Sequence, residues 1–265
     1  MKYYQVHSFV SPEHLGNPAG VCLVYDMWAR EKMMQRIAYN LGLSETAFVL
    51  ETEVGLFIRW FTPTCEVALC GHATLAAAHV LKEKHQGKMV FQSSKYTLPV
   101  QEKHGLLVME FPKQKIKQIT HKLSFDVFNI TPKEYWEGDD EYLFVFEHAE
   151  DVKNLVCDYD KAKKMNHSGI IVTAPGYGKY DFVSRYFGPK IGINEDPVTG
   201  SAHTYMVPYW QNRLKKDTFV AAQLSRRGGE LHLNALKDRV SIGGKAETFL
   251  KGAIEEDWIH TRGRN

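Results

Sequence analysis

Residues 70–72 read Cys70-Gly71-His72, and a thiol and an imidazole two positions apart are groups that move protons or attack electrophiles. They stand directly before a run of small apolar residues that reads as a buried helix. Cys70 as nucleophile, His72 as base, and both as no more than the opening of that helix are all compatible with the stretch alone. A second stretch repeats part of the pattern. Arg59-Trp60-Phe61-x-Pro63 precedes Cys70-Gly71-His72-Ala73, and Arg185-Tyr186-Phe187-x-Pro189 precedes Thr199-Gly200-Ser201-Ala202. Both copies read Arg-aromatic-Phe-x-Pro, a loop, then x-Gly-x-Ala opening a helix, which points to a duplicated half-domain.

A helix N-terminus carries unpaired N–H groups and a partial positive charge, so it attracts an anion in front of it. Gly71 and Gly200 let backbone come close to such a ligand, with Ala73, Thr199 and Cys70 beside them. Were a pseudo-twofold axis to relate the halves, the two helix starts would face each other across a cleft and hold a small carboxylate substrate from both sides. Asn17, in the turn Gly16-Asn17-Pro18, offers an amide to the same ligand or serves simply as a turn residue.

The elements that must position these groups are legible in outline. Tyr3–Val10 and 21–25 read as strands, and Asp26 is placed to cap a helix from Met27 to about Leu41 that stops at Gly42. Strands follow at 46–50 and 56–61, then the small-residue helix to about Glu83, then strands at 89–93, 96–100 and 106–111. The lysine-rich stretch 112–123 reads as a solvated connector, dividing the chain into half-domains 1–115 and 116–265, with the last residues free to pack on the first. Strands at 142–147, 169–174 and 181–187, a short helix near Asp158 to Met165, a helix starting near Ser201 and three closing strands complete the second half.

The chain has 265 residues and a formal net charge of +2 from 33 basic and 31 acidic residues, so it lacks the electrostatic footprint of a nucleic-acid or anionic-membrane binder. Gln5 and His7 interrupt the opening residues where a signal peptide needs an apolar core, which makes the cytoplasm the expected compartment. Cys22, Cys65, Cys70 and Cys157 form neither a disulfide framework nor a Cys-x-x-Cys metal motif. Gly178-Lys179 lacks the first glycine and the following Ser or Thr of a phosphate loop. No metal or nucleotide signature is present.

GNPAGV (16–21), SETAFV (44–49), FTPTCEVALCGHATLAAA (61–78), EDPVTGSAH (195–203) and SRRGGEL (225–231) together resemble the PhzF-like phenazine-biosynthesis family of the diaminopimelate epimerase-like superfamily. The resemblance implies an α+β fold of two similar domains, each a curved, mostly antiparallel sheet or barrel around a central helix, with a ligand cleft between them. It also implies a homodimer and cofactor-independent, isomerising proton transfer on a small carboxylate. The glutamate of the SET motif, Glu45, corresponds to the family's proton carrier, supported by His72, Asp196 and Ser201. Locally, Glu45 sits between the Gly42 helix stop and an apolar strand, where a carboxylate can be half buried and can both take and return a proton. On local chemistry alone, Asp196-Pro197 also reads as a turn initiator and Ser201 as a helix N-cap.

Related racemases use a thiol from each half. Here the positions read Cys70 and Thr199, so symmetrical two-thiol racemisation is not expected. A Cys/Thr dehydratase or epimerase of hydroxy- or amino-acids stays open, as does a carboxylate-binding protein without chemistry.

Overall fold

The computed structural model describes residues 1–85, 87–120 and 126–255. The chain folds into two compact units. Among the described residues, the first comprises Met1–Val10, Asn17–Glu110 and 244–255; the second comprises Ser11–Gly16 and Phe111–Gly243. The division thus falls at 110/111, against an expected 115. The closing strand carries residues of both units, and the loop 11–16 belongs to the second.

The first unit contains β1 (Lys2–Val10), β2 (Asn17–Val24), α1 (Glu31–Leu41), β3 (Glu45–Thr52), β4 (Gly55–Phe61), β5 (Glu66–Val67), α2 (Gly71–Leu81), β6 (Lys88–Gln92), β7 (Thr97–Lys103) and most of β8 (Leu106–Pro112). Neighbouring strands pair antiparallel except β2 with β3 and β4 with β6, which are parallel and joined through α1 and α2. A parallel pair needs such a crossover because its strands run the same way. α1 presents Met33, Met34, Ile37 and Ala38 to Phe48, Leu50 and Phe61. α2 is buried almost all round, from His72 to Ala78 and again at Leu81, and packs on β1, β2 and β3. Its alanines explain that position, since small side chains let strands approach a helix from several directions.

The second unit repeats this plan. It contains β9 (Lys117–Gln118), β10 (Glu134–Glu137), β11 (Glu141–Val145), α3 (Ala149–Lys153), α4 (Tyr159–Ala162), β12 (Gly169–Pro175), β13 (Phe182–Gly188), β14 (Ile193–Asp196), α5 (His203–Leu214), β15 (Thr218–Gln223), β16 (Gly229–Ala235) and the start of β17 (Arg239–Ala253). β11 and β12 are parallel across α3 and α4, and β13 and β15 are parallel across α5. The Arg-aromatic-Phe motifs occupy the same place in each unit. Arg59 on β4 grips Glu66 on β5 with two hydrogen bonds of 2.7 Å, and Arg185 on β13 grips Glu195 on β14 at 2.6 and 3.0 Å. Within α5, Pro208 cannot donate to the Thr204 carbonyl, which instead accepts the Gln114 N–H at 3.1 Å.

Several expectations are corrected. α1 begins at Glu31 rather than Met27, because Asp26 has φ 66, a left-handed conformation incompatible with an N-cap; Gly42 ends it as expected, with φ 62. The stretch 112–123 is not a bare connector, as β9 pairs with β10; its residues 121–123 lie outside the described residues. α5 starts at His203, and Ser201 makes no N-cap bond: Gly200 and the next two residues form a turn first. β17, the last of the three closing strands, runs for 15 residues from Arg239 to Ala253.

Candidate active site

In the first unit, the start of β3 and the start of α2 come together. Parallel pairing sets Glu45 opposite Ala19 on β2, and Ser44 just before it reaches the start of β2, its hydroxyl 3.4 Å from Asn17 Oδ1. α2 opens at Gly71 after Cys70, whose extended backbone suits an N-cap but whose side chain makes no cap bond. The first-turn N–H groups of α2 are therefore left to another acceptor.

His72 lies between the two segments. Its Nε2 is 3.5 Å from Glu45 Oε2 and 3.5 Å from Ser44 Oγ, while its Nδ1 is 3.5 Å from Cys70 Sγ. Carboxylate, imidazole and thiol thus form a row. The two contacts to oxygen exceed the length of a well-formed hydrogen bond, whereas 3.5 Å is ordinary for a bond to sulfur, and catalytic contacts characteristically tighten only with substrate in place. The backbone at His72 is anchored from below, where Ser8 Oγ donates to its carbonyl at 2.8 Å. The His72 side chain is 7% exposed and that of Glu45 13%, so both groups sit where water is scarce yet a ligand can reach the carboxylate. Asn17 and Ala73 are fully buried beside them. Asn17, Glu45, Cys70, Gly71, His72 and Ala73 therefore lie close around the starts of β2, β3 and α2.

In the second unit, Asp196 ends β14 with its side chain buried. Its Oδ2 accepts a 2.5 Å hydrogen bond from Thr199 Oγ1. Gln223, at the end of β15, ties the loop together: its Nε2 donates to the Asp196 carbonyl at 2.9 Å and to Thr199 Oγ1 at 3.2 Å, and its Oε1 accepts from Thr199 N at 2.9 Å. His203 donates from Nδ1 to the Thr199 carbonyl at 2.9 Å; full burial holds its imidazole neutral, with the pKa lowered to about 4. Asp196, Thr199 and Gly200 are thus held in one rigid loop. Ser201 is exposed, and its carbonyl accepts from Thr204 Oγ1 at 2.6 Å.

Sequence reasoning passed over Ser44, Gln223 and Glu141. Gln223 had a usable signal, an amide inside the apolar run Phe219–Leu224. Glu141 had none, since it matters through its neighbours in space: its Oε1 accepts from Tyr186 Oη at 3.0 Å, and burial pushes its carboxyl up to about 8, against the lowering effect of that bond. Tyr186 in turn is the cross-strand partner of Asp196.

Residues 6–252 match the sequence profile of the family described as phenazine biosynthesis-like protein. An uncharacterized isomerase of Pseudomonas aeruginosa is 42% identical, over 96% of this chain and 98% of that protein. A crystal structure of a PhzF-family phenazine biosynthesis protein from Enterococcus faecalis is 38% identical, with a TM-score of 0.91 over 96% of this chain and 98% of that one. A probable proline racemase from Agrobacterium radiobacter, 9% identical, matches with a TM-score of 0.61 over 97% of this chain and 93% of that one, a likeness of fold alone. With the family matched over nearly its whole length and its α+β plan shared, the chain belongs to the phenazine biosynthesis-like protein family and is an enzyme of isomerase type.

Proposed function

We propose that the protein moves a proton between carbons of a small carboxylate substrate without a cofactor, with Glu45 taking and returning the proton. The row of Glu45, His72 and Cys70 at the uncapped start of α2 carries this reading. The carboxylate can reach a substrate C–H, and the imidazole beside it stabilises whichever protonation state the half-reaction leaves. The N–H groups of Gly71 and Ala73 are suited to hold the substrate carboxylate and the charge that develops next to it. The amide of Asn17 is assigned to a substrate polar group. On the same reading Asp196 and Ser201 support the proton transfer, and Thr199 and Gly200 contribute to substrate binding. A cofactor is unnecessary when the acidified carbon lies beside a group that delocalises the developing charge. A cytoplasmic homodimer in a biosynthetic route is part of the same proposal.

The test is incubation in heavy water with a panel of hydroxy-acids, amino acids and anthranilate-like dienes, reading deuterium uptake by mass spectrometry. Uptake that disappears in Glu45→Gln while the variant keeps its fold supports the reading. Undiminished uptake in that variant overturns it.

One observation favours a second reading. The 2.5 Å bond from Thr199 Oγ1 to Asp196 supplies the base that a threonine hydroxyl needs before it can act in chemistry, as a Cys70/Thr199 dehydratase or epimerase would require. Loss of turnover in Cys70→Ser with retention in Glu45→Gln would select it.

A further inference from the structure

The same three side chains that form the proton-transfer row also supply, close together, the donor set of a metal site. One carboxylate oxygen of Glu45, the Cys70 sulfur and one ring nitrogen of His72 all lie within 4.8 Å of one another. Zinc bonds of about 2.0–2.3 Å in a tetrahedron place ligand atoms roughly 3.3–3.7 Å apart. Glu45 Oε2 lies 3.5 Å from His72 Nε2 and Cys70 Sγ lies 3.5 Å from His72 Nδ1, on opposite sides of the ring, so a turn of the imidazole that directs one nitrogen to an ion shared with the other two would bring the three donors to that spacing. Cys70 and His72 are buried, and their backbone is fixed by the first turn of α2, where Thr74 Oγ1 donates to the Cys70 carbonyl at 2.6 Å and Ser8 holds the His72 carbonyl. Little further ordering is needed to bring the ligands together.

We infer that Glu45, Cys70 and His72 form a binding site for a thiophilic divalent cation of the zinc type, and that occupation of this site shuts off proton transfer. Thiolate, imidazole and carboxylate together suit Zn²⁺ and its spectroscopic substitute Co²⁺, whereas Mg²⁺ and Ca²⁺ require oxygen ligands. Three protein ligands leave a fourth position for water or a substrate carboxylate. Binding takes the proton from the Cys70 thiol and occupies the lone pair with which Glu45 would accept one, so affinity rises with pH while the acid/base function is lost. The sequence lacks a metal motif because Glu45 arrives from a separate segment, through the parallel pairing of β2 and β3. The inhibitory consequence rests on the function proposed above; the binding itself does not.

The experiment titrates the reduced full-length chain with CoCl₂ and follows the thiolate-to-cobalt charge-transfer absorption, with native mass spectrometry for stoichiometry and Zn²⁺ as competitor. One equivalent of Co²⁺ is expected to give a saturable band that Zn²⁺ abolishes. Cys70→Ser should remove the band, Glu45→Gln and His72→Asn should each weaken affinity at least about tenfold, and Cys65→Ser, at the exposed cysteine, should change nothing. Circular dichroism establishes that each variant is folded. A band that survives Cys70→Ser, a band lost with Cys65→Ser, or wild-type binding of Co²⁺ without any charge-transfer band overturns the inference. In the heavy-water assay, Zn²⁺ at one equivalent should suppress deuterium uptake. Cobalt binding as described in a protein that never exchanges deuterium would leave the metal site standing and remove the proton-transfer reading; exchange without cobalt binding would do the reverse.

Discussion

Glu141 and Gly169 are partners in the parallel ladder of β11 and β12, and the carboxyl group of the first fills the space that a side chain on the second would need. The corresponding pair in the first unit is Ala19 on β2 and Glu45 on β3, so the carboxyl-bearing strand is exchanged between the two copies. Each strand pair thus keeps one carboxyl group and one small residue at this step of its ladder. Glu45 is left open to a ligand at 13% side-chain exposure, whereas Glu141 is closed in and bound by Tyr186.

Gly169→Ala should therefore be disruptive although the change adds only one methyl group. That methyl would overlap the Glu141 carboxyl and the Tyr186 hydroxyl. A loss of about 1–3 kcal/mol is expected from such overpacking, measured by urea denaturation.

Burial raises the Glu141 carboxyl from 4.5 to about 8, so between these values the folded protein holds a proton that the unfolded chain has released. Stability must then fall as pH rises through that window and level off above it. The total change is on the order of 5 kcal/mol. Glu141→Gln cannot ionise and should flatten this slope in urea midpoints taken from pH 5 to pH 9; an unchanged slope would contradict the assignment.

His203 predicts the opposite limb. Its folded-state pKa is depressed from 6.5 to about 4, so the unfolded chain binds the proton first and stability is lost as pH falls from 6.5 toward 4. His203→Asn keeps a donor for the Thr199 carbonyl and removes the titration, and should reduce the acid loss by about 3 kcal/mol across that window.

Thr74 joins the candidate site to the core. Its hydroxyl accepts from Trp60 Nε1 at 3.1 Å and donates to the Cys70 carbonyl at 2.6 Å. Thr74→Val would orphan a buried indole N–H at a cost of about 1–3 kcal/mol, and should also slow any deuterium exchange by loosening the start of α2. In the second unit Trp210 Nε1 donates to Thr173 Oγ1 at 3.0 Å within the core, so Thr173→Val should cost a similar amount of stability.

His72→Gln preserves polarity but neither the imidazole's proton-transfer chemistry nor its reach to both Glu45 and Cys70. If His72 assists Glu45, exchange should fall by about 10²-fold or more with little change in thermal stability. Parallel measurement of exchange rate and melting temperature separates that result from simple unfolding.

The sequence by itself determined the local elements and their repetition. Loose alternation of apolar residues specifies β1, short apolar runs specify β3, β4 and β12, the alanine run specifies a buried helix, and the repeated Arg-aromatic-Phe motifs reveal the duplication, because each signal acts within a few residues. Glu45, His72 and Asp196 were legible as candidates from their motifs. Only the tertiary structure decided which of them meet. Parallel pairing of β2 with β3 brings Ser44 and Glu45 to the start of α2, and pairing of β11 with β12 buries Glu141 against Gly169. Those pairings join residues separated by a whole crossover, and no local propensity encodes them. The late start of α5 and the left-handed Asp26 escaped for the related reason that loop conformation is set by what surrounds it.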